Sequence, residues 1–122
     1  MRRGIAITFC AALASCICAC NTIAAKGSAA GVQTSAPELM TRYGCPTCHV
    51  IPHVPGAIGK VGPSLDALSQ RSYLAGTLPN TPDNLRQWIM HPQHYQPGTA
   101  MPEMGVSEQD AGRIAAFLES QR

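Results

Sequence analysis

The sequence predicts a small all-α domain behind an apolar leader, on three observations. Capping residues at Ser35, Thr81 and Ser107 each open a segment with helical spacing of apolar residues. Stretches rich in proline and glycine separate those segments, and no run alternates apolar and polar residues long enough to argue a sheet. A length of 122 residues allows one domain, and only 5% of them are aromatic, against 11 glycines and 10 prolines. Domains with so little core material commonly draw stability from a metal, disulfides or a cofactor.

Met1-Arg2-Arg3-Gly4 is a short positive start, and Ile5 to about Ala19 is an apolar run with no charge. Small residues follow around Thr22–Ala25 and Ser28–Ala30, and no acid precedes Glu38. Residues 1–25 therefore read as an export signal. Residues 26–35, rich in Gly, Ser and Ala, read as a flexible tether, and residues 36–122 as the domain. Three fates of the leader are open. Cleavage near Ala25 or Ala30 releases a soluble protein. Leu13-Ala14-Ser15-Cys16 matches a bacterial lipidation box, as Ile17-Cys18-Ala19-Cys20 does more loosely, so Cys16 or Cys20 is the candidate lipid anchor. Retention of Ile5–Ala25 leaves a run about long enough to span a bilayer. Each fate implies an exported, periplasmic domain, free or attached to the membrane by lipid or anchor.

Within the domain, Ser35-Ala36-Pro37-Glu38 has capping-box spacing and predicts a short helix to about Tyr43, ended by Gly44. Pro46, Pro52, Pro55, Gly56 and Gly59 make residues 50–63 a loop, and residues 64–68 predict one or two helical turns. Thr81-Pro82-Asp83 starts a helix with Leu85, Trp88 and Ile89 on one face, stopped at His91-Pro92. Residues 92–106 read as loop. Ser107 caps the last helix, whose face is Ala111, Ile114, Ala115 and Leu118.

The net charge of +2 includes Arg2 and Arg3; from Lys26 onward seven cations balance seven acids. With no basic block or basic-aromatic stripe, nucleic-acid binding is excluded as a reading.

Four of the six cysteines lie in the leader; the other two form Cys45-Pro46-Thr47-Cys48-His49. Cys-x-x-Cys-His is the attachment pattern of a c-type haem. Two thiols three positions apart on a turn reach two vinyl groups on one porphyrin edge, and the adjacent imidazole falls beneath the iron. Three other readings stand beside it. A thiol-redox pair wants a βαβ context, which is not predicted. A zinc site wants a second Cys or His pair, which His53, His91 and His94 do not form. A structural disulfide leaves His49 unexplained. A sixth iron ligand is expected downstream, and Met101 in Pro97-Gly98-Thr99-Ala100-Met101-Pro102 sits in a proline-stiffened loop suited to hold a thioether. Met104 is its competitor. Met40 and Met90 read as core, and His53, His91 and His94 as solvent-facing loop residues.

With these pieces in view, residues 36–121 resemble a class I cytochrome c domain. Gly62-Pro63-Ser64-Leu65 followed by Arg71 resembles one segment of that family. Leu85…Trp88-Ile89…Pro92…Tyr95 to Met101 resembles the helix and loop that deliver its axial methionine. Ala115-Ala116-Phe117-Leu118 resembles its C-terminal helix. The resemblance implies three to five short helices wrapped around one covalently bound haem. It also implies that His49 binds iron while its other ring nitrogen donates to the Pro63 carbonyl, and that Met101, ahead of Met104, is the distal ligand. Arg71 would lie near a propionate, and Trp88 and Ile89 would pack on the haem. The short first helix and the abbreviated segment 72–80 depart from larger members, which puts the propionate partners of that segment in doubt, Tyr73 included.

The function these readings imply is one-electron transfer, Fe(III)/Fe(II), between a donor dehydrogenase or respiratory complex and an oxidase, through weak transient docking. No constellation for substrate turnover is visible, so the expectation is an electron carrier and not an enzyme, or a subunit of an oxidoreductase complex. Two alternatives stand: a haem subunit of a specific dehydrogenase complex, and a five-coordinate haem sensor or peroxidase.

Overall fold

Ser35, Thr81 and Ser107 each precede a helix in the computed structural model, which describes residues 33–121. The helices are α1 (Ala36–Arg42), α2 (Pro82–Met90), α3 (Pro92–Tyr95) and α4 (Glu108–Ser120). Thr81 Oγ1 accepts from the Asn84 amide and Ser107 Oγ from the Asp110 amide, each at 3.2 Å. Such bonds satisfy N–H groups that a helix start leaves unpaired. At α1 the Glu38 carboxylate accepts from the Ser35 amide at 2.9 Å and from its hydroxyl at 2.8 Å. These bonds hold the Glu38 carboxyl below its ordinary value.

The core lies where α4 packs against both α1 and α2. Leu39 and Met40 come from α1, Leu85 and Ile89 from α2, and Ala111, Ile114, Ala115 and Leu118 from α4; all are buried. The alanines at 111 and 115 are one turn apart, so they present a low surface that lets a neighbouring helix approach closely. Tyr43 OH donates to Asp110 Oδ2 at 2.8 Å, tying the end of α1 to the first turn of α4. Arg86 bridges Asp83 at 3.1 Å and Glu108 at 3.9 Å, but all three are solvent-accessible and such pairs contribute little.

The departures from the sequence reading concern short elements, the first of them a hairpin. Tyr73–Leu74 (β1) and Leu78–Pro79 (β2) pair antiparallel, with Leu74 opposite Leu78. The hairpin turns through Ala75 at φ 47° and Gly76 at φ 82°, closed by Thr77 N–H on the Leu74 carbonyl at 3.1 Å. Two-residue strands are too short to alternate visibly, and alanine is uncommon at a left-handed turn position, so the sequence carries almost no hairpin signal. The second departure is α3, which falls inside the predicted loop 92–106. Pro92 ends α2 but also suits the first position of a new helical turn, where its missing N–H has no partner to lose.

The loop after the cysteine motif is held by backbone bonds. Gly62 N–H donates to the Cys48 carbonyl and Leu65 N–H to the Val50 carbonyl, both at 2.8 Å. Buried Ile51, Val54 and Ala57 anchor it from beneath. The turns expected at residues 64–68 form slightly later, as a 3-10 turn at Leu68–Gln70. The leader, Cys16, Cys20 and most of the tether lie outside the described residues. Among the described residues no helix is long and apolar enough to cross a membrane.

Candidate functional site

Gly44 turns the chain at the end of α1 with φ 78°, in the left-handed region that glycine tolerates. The next residues wind into a 3-10 turn at Cys45–Thr47, with the Cys48 and His49 amides on the Cys45 carbonyl at 3.2 and 3.1 Å. That turn puts both thiols and the imidazole on the wall of one cleft. The cleft measures about 690 Å³, within the range of about 300–1,000 Å³ common for ligand sites.

His49 Nδ1 lies 2.7 Å from the Pro63 carbonyl oxygen. A carbonyl only accepts, so Nδ1 carries a proton and donates it, and Nε2 is the ring nitrogen not engaged by this bond. The ring rests against Gly62, where an added Cβ would fall within 2.7 Å of Nδ1 and 2.9 Å of Nε2. A Cβ at Gly59 would run into the Thr47 and Cys48 backbone. Both glycines therefore serve close approach of the loop to the cysteine turn, not an unusual backbone angle.

Residues far apart in sequence meet in this cleft. Pro63, Arg71, Trp88, Ile89 and Met101 line it together with Cys45, Cys48 and His49. Arg71 is half-buried and donates to the Ser64 and Asp66 carbonyls, which keeps its guanidinium at the wall. Trp88 is half-buried and Ile89 is buried. Met101 is half-buried, while Met104 also lines the cleft but is exposed, its Cε near Gly44. Tyr73 lines it from β1 and is exposed. Met40 is fully buried; His53, His91 and His94 are exposed, and His91 faces Glu103 at 3.6 Å.

Two polar side chains that organise the site escape sequence reasoning. Asn80 Nδ2 donates to the Leu68 and Arg71 carbonyls at 2.8 and 2.9 Å, joining the Arg71 segment to the hairpin. Gln93 Nε2 donates to the Thr99 and Met101 carbonyls, both at 2.8 Å, while its Oε1 accepts from the Gly98 amide at 3.1 Å. Side-chain bonds to backbone at such separations leave no periodic trace in a sequence.

The chemistry of the donor set narrows the readings. Burial pushes the Cys45 thiol above its ordinary value. Thiols that exchange disulfides sit in the opposite environment, one that favours the thiolate. Both Cys45 and Cys48 are free thiols. Among the described residues no group of three or more His, Cys, Asp or Glu side chains is placed to hold a metal ion, as a zinc or copper centre built from such ligands requires. Two thiols, one imidazole with Nδ1 tied to a carbonyl, and the thioethers of Met101 and Met104 line one largely apolar cleft, a donor set that an iron porphyrin can use.

No family model matches the chain, and no solved structure matches it. The chain is similar to cytochrome c oxidase subunit 2 of Alkalihalophilus pseudofirmus, 35% identical over 85 residues, covering 68% of this chain and 24% of that protein. The chain thus matches about a quarter of the length of that relative. This likeness corrects the expectation of an electron carrier that is not an enzyme, because the similar protein is a component of an oxidase. The expectation rested on the absence of visible turnover residues in this chain, and a component of a multi-subunit enzyme need carry none.

Proposed function

We propose that residues 36–122 form an electron-transfer domain holding one haem through Cys45 and Cys48, with His49 and Met101 as iron ligands, and that it works as part of a respiratory oxidoreductase complex. The observation that carries the reading is the convergence of Cys45, Cys48, His49 and Met101 on one apolar cleft, with His49 Nδ1 already engaged by Pro63. The likeness to an oxidase subunit supports the assignment to an oxidase rather than to a free carrier. When bound, the haem supplies one-electron Fe(III)/Fe(II) exchange, with a thioether ligand favouring the reduced iron.

The chain's own part is to bind, orient and exclude water. The 3-10 turn presents both thiols along one edge. The Pro63 carbonyl fixes the His49 ring and raises its basicity, as a hydrogen bond to the outer nitrogen of a ligating histidine does. Leu68, Leu85, Ile89 and Ile114 make the cleft apolar, Arg71 offers charge to a propionate, and Trp88 offers a flat packing surface. The N-terminal run is proposed as an export signal, with lipidation at Cys16 or Cys20 keeping the domain near the membrane. Its partners are then redox proteins of that complex.

The absorption spectrum of the oxidised holoprotein tests the ligand assignment. A Met–Fe(III) charge-transfer band is expected in the wild type and in Met104→Ala, and is expected to vanish in Met101→Ala. A high-spin, five-coordinate spectrum in the wild type contradicts the reading and favours a sensor or peroxidase.

A further inference from the structure

We propose that Gln93 is the positioning residue for Met101, and the proposal rests on the reading of Met101 as an iron ligand. Residues 96–101 have little secondary structure to hold them. Pro97 and Gly98, the latter at φ 81°, form a turn closed by Thr99 N–H on the Gln96 carbonyl at 3.1 Å. Beyond that turn, the Met101 amide donates to Thr99 Oγ1 at a long 3.5 Å, and the shorter side-chain bonds to this stretch of backbone all come from Gln93. Gln93, on the single-turn helix α3, uses its whole carboxamide: both carbonyls at Thr99 and Met101 accept from Nε2, and the Gly98 amide donates to Oε1. Carbonyls cannot donate, so this set of partners admits one orientation of the amide only. The α3 turn is in turn anchored through Pro92, which is almost fully buried. A rigid chain of connection therefore runs from the core through Pro92 and Gln93 to the Met101 backbone. Gln93 does not itself line the cleft, so its effect on the site passes through the backbone of Thr99 and Met101.

A thioether is a weak ligand, and its occupancy depends on how much of the loop's freedom has been removed beforehand. Without Gln93, Met101 competes less well against an added ligand. The experiment is a titration of the oxidised full-length holoprotein with imidazole, following loss of the Met–Fe(III) band. In Gln93→Met, which keeps length and loses all three bonds, imidazole is expected to bind about tenfold more tightly, from hydrogen bonds of ordinary strength. Gln93→Glu, which turns a carboxylate toward two carbonyls, is expected to shift it at least as far. Asn84→Ala removes a comparable side-chain bond, to the Pro79 carbonyl at 2.9 Å on α2. It is expected to lower Tm and leave imidazole affinity unchanged, as loss of stability alone would. Equal affinity in wild type, Gln93→Met and Gln93→Glu, with the band present in all three, overturns the proposal and leaves Met101 ligation intact. Absence of the band from the wild type instead overturns the ligand reading itself, and this proposal with it. A measurement on the wild type stands apart from whether the variants fold: the Gly98 amide, bonded to Gln93 Oε1, is expected to exchange slowly with solvent, and exchange at the unprotected rate contradicts the clamp.

Discussion

Gly62 lies flat against the His49 ring, and its lack of a side chain is what lets Pro63 reach Nδ1 at 2.7 Å. Gly62→Ala forces a methyl into the imidazole. The ring must tilt or the loop must lift, at a cost of about 1–3 kcal/mol, the usual range for overpacking. Thermal unfolding should show that loss, and the same variant should weaken the His49–Pro63 bond, visible as faster exchange of the Nδ1 proton. Pro63 was legible through the family resemblance of Gly62-Pro63-Ser64-Leu65, and not from its spacing to His49; the close approach that Gly62 permits was not legible. Nor were Asn80 and Gln93, since amide side chains bonding backbone carbonyls can stand almost anywhere and their partners are fixed only by the folded loop. The choice between Met101 and Met104 was legible only as a preference; what separates them physically is that Met101 is half-buried with its carbonyl held by Gln93, whereas Met104 is exposed.

At the scale of elements, α1, α2 and α4 follow from capping residues and helical spacing, and their starts agree with Ser35, Thr81 and Ser107. Ser107→Ala should lower stability by about 1 kcal/mol through loss of the α4 cap, read as a fall in Tm with the spectrum of the site unchanged. The hairpin at Tyr73–Pro79 and the single turn of α3 were illegible because each spans only about one period of its own pattern. Two of the helix ends also set a pH dependence. Hydrogen bonds from Ser35 hold the Glu38 carboxyl below its ordinary 4.5, and the bond from Tyr43, then that from Ser107, holds Asp110 below its ordinary 3.8. The unfolded chain therefore takes up these protons at higher pH than the folded one. Their stabilisation is complete above the ordinary values and is lost as pH falls through the depressed folded values. Tm should drop on acidification below about pH 4, and the drop should be shallower in Glu38→Gln/Asp110→Asn. An equally steep drop in that variant would place the acid sensitivity elsewhere.

For the whole molecule, the helical frame could be read from the sequence, but its cleft could not, because closure depends on two loops that carry no periodicity. Residues 50–63 return to the cysteine turn through Gly59 and Gly62, and residues 96–106 return through Gln93. Between them stands an apolar cavity of about 690 Å³ at the centre of a domain poor in aromatic residues. A group bound there adds its binding free energy to the folding free energy. The holoprotein should accordingly be more stable than Cys45→Ala/Cys48→Ala, by a margin visible in both Tm and denaturant midpoint. The most direct measurement of the central claim is mass spectrometry of the chain expressed with a haem-attachment system. A mass increase of one haem is expected, carried on the peptide that contains Cys45–His49 and lost in Cys45→Ala/Cys48→Ala. Recovery of that peptide with two unmodified thiols would contradict it.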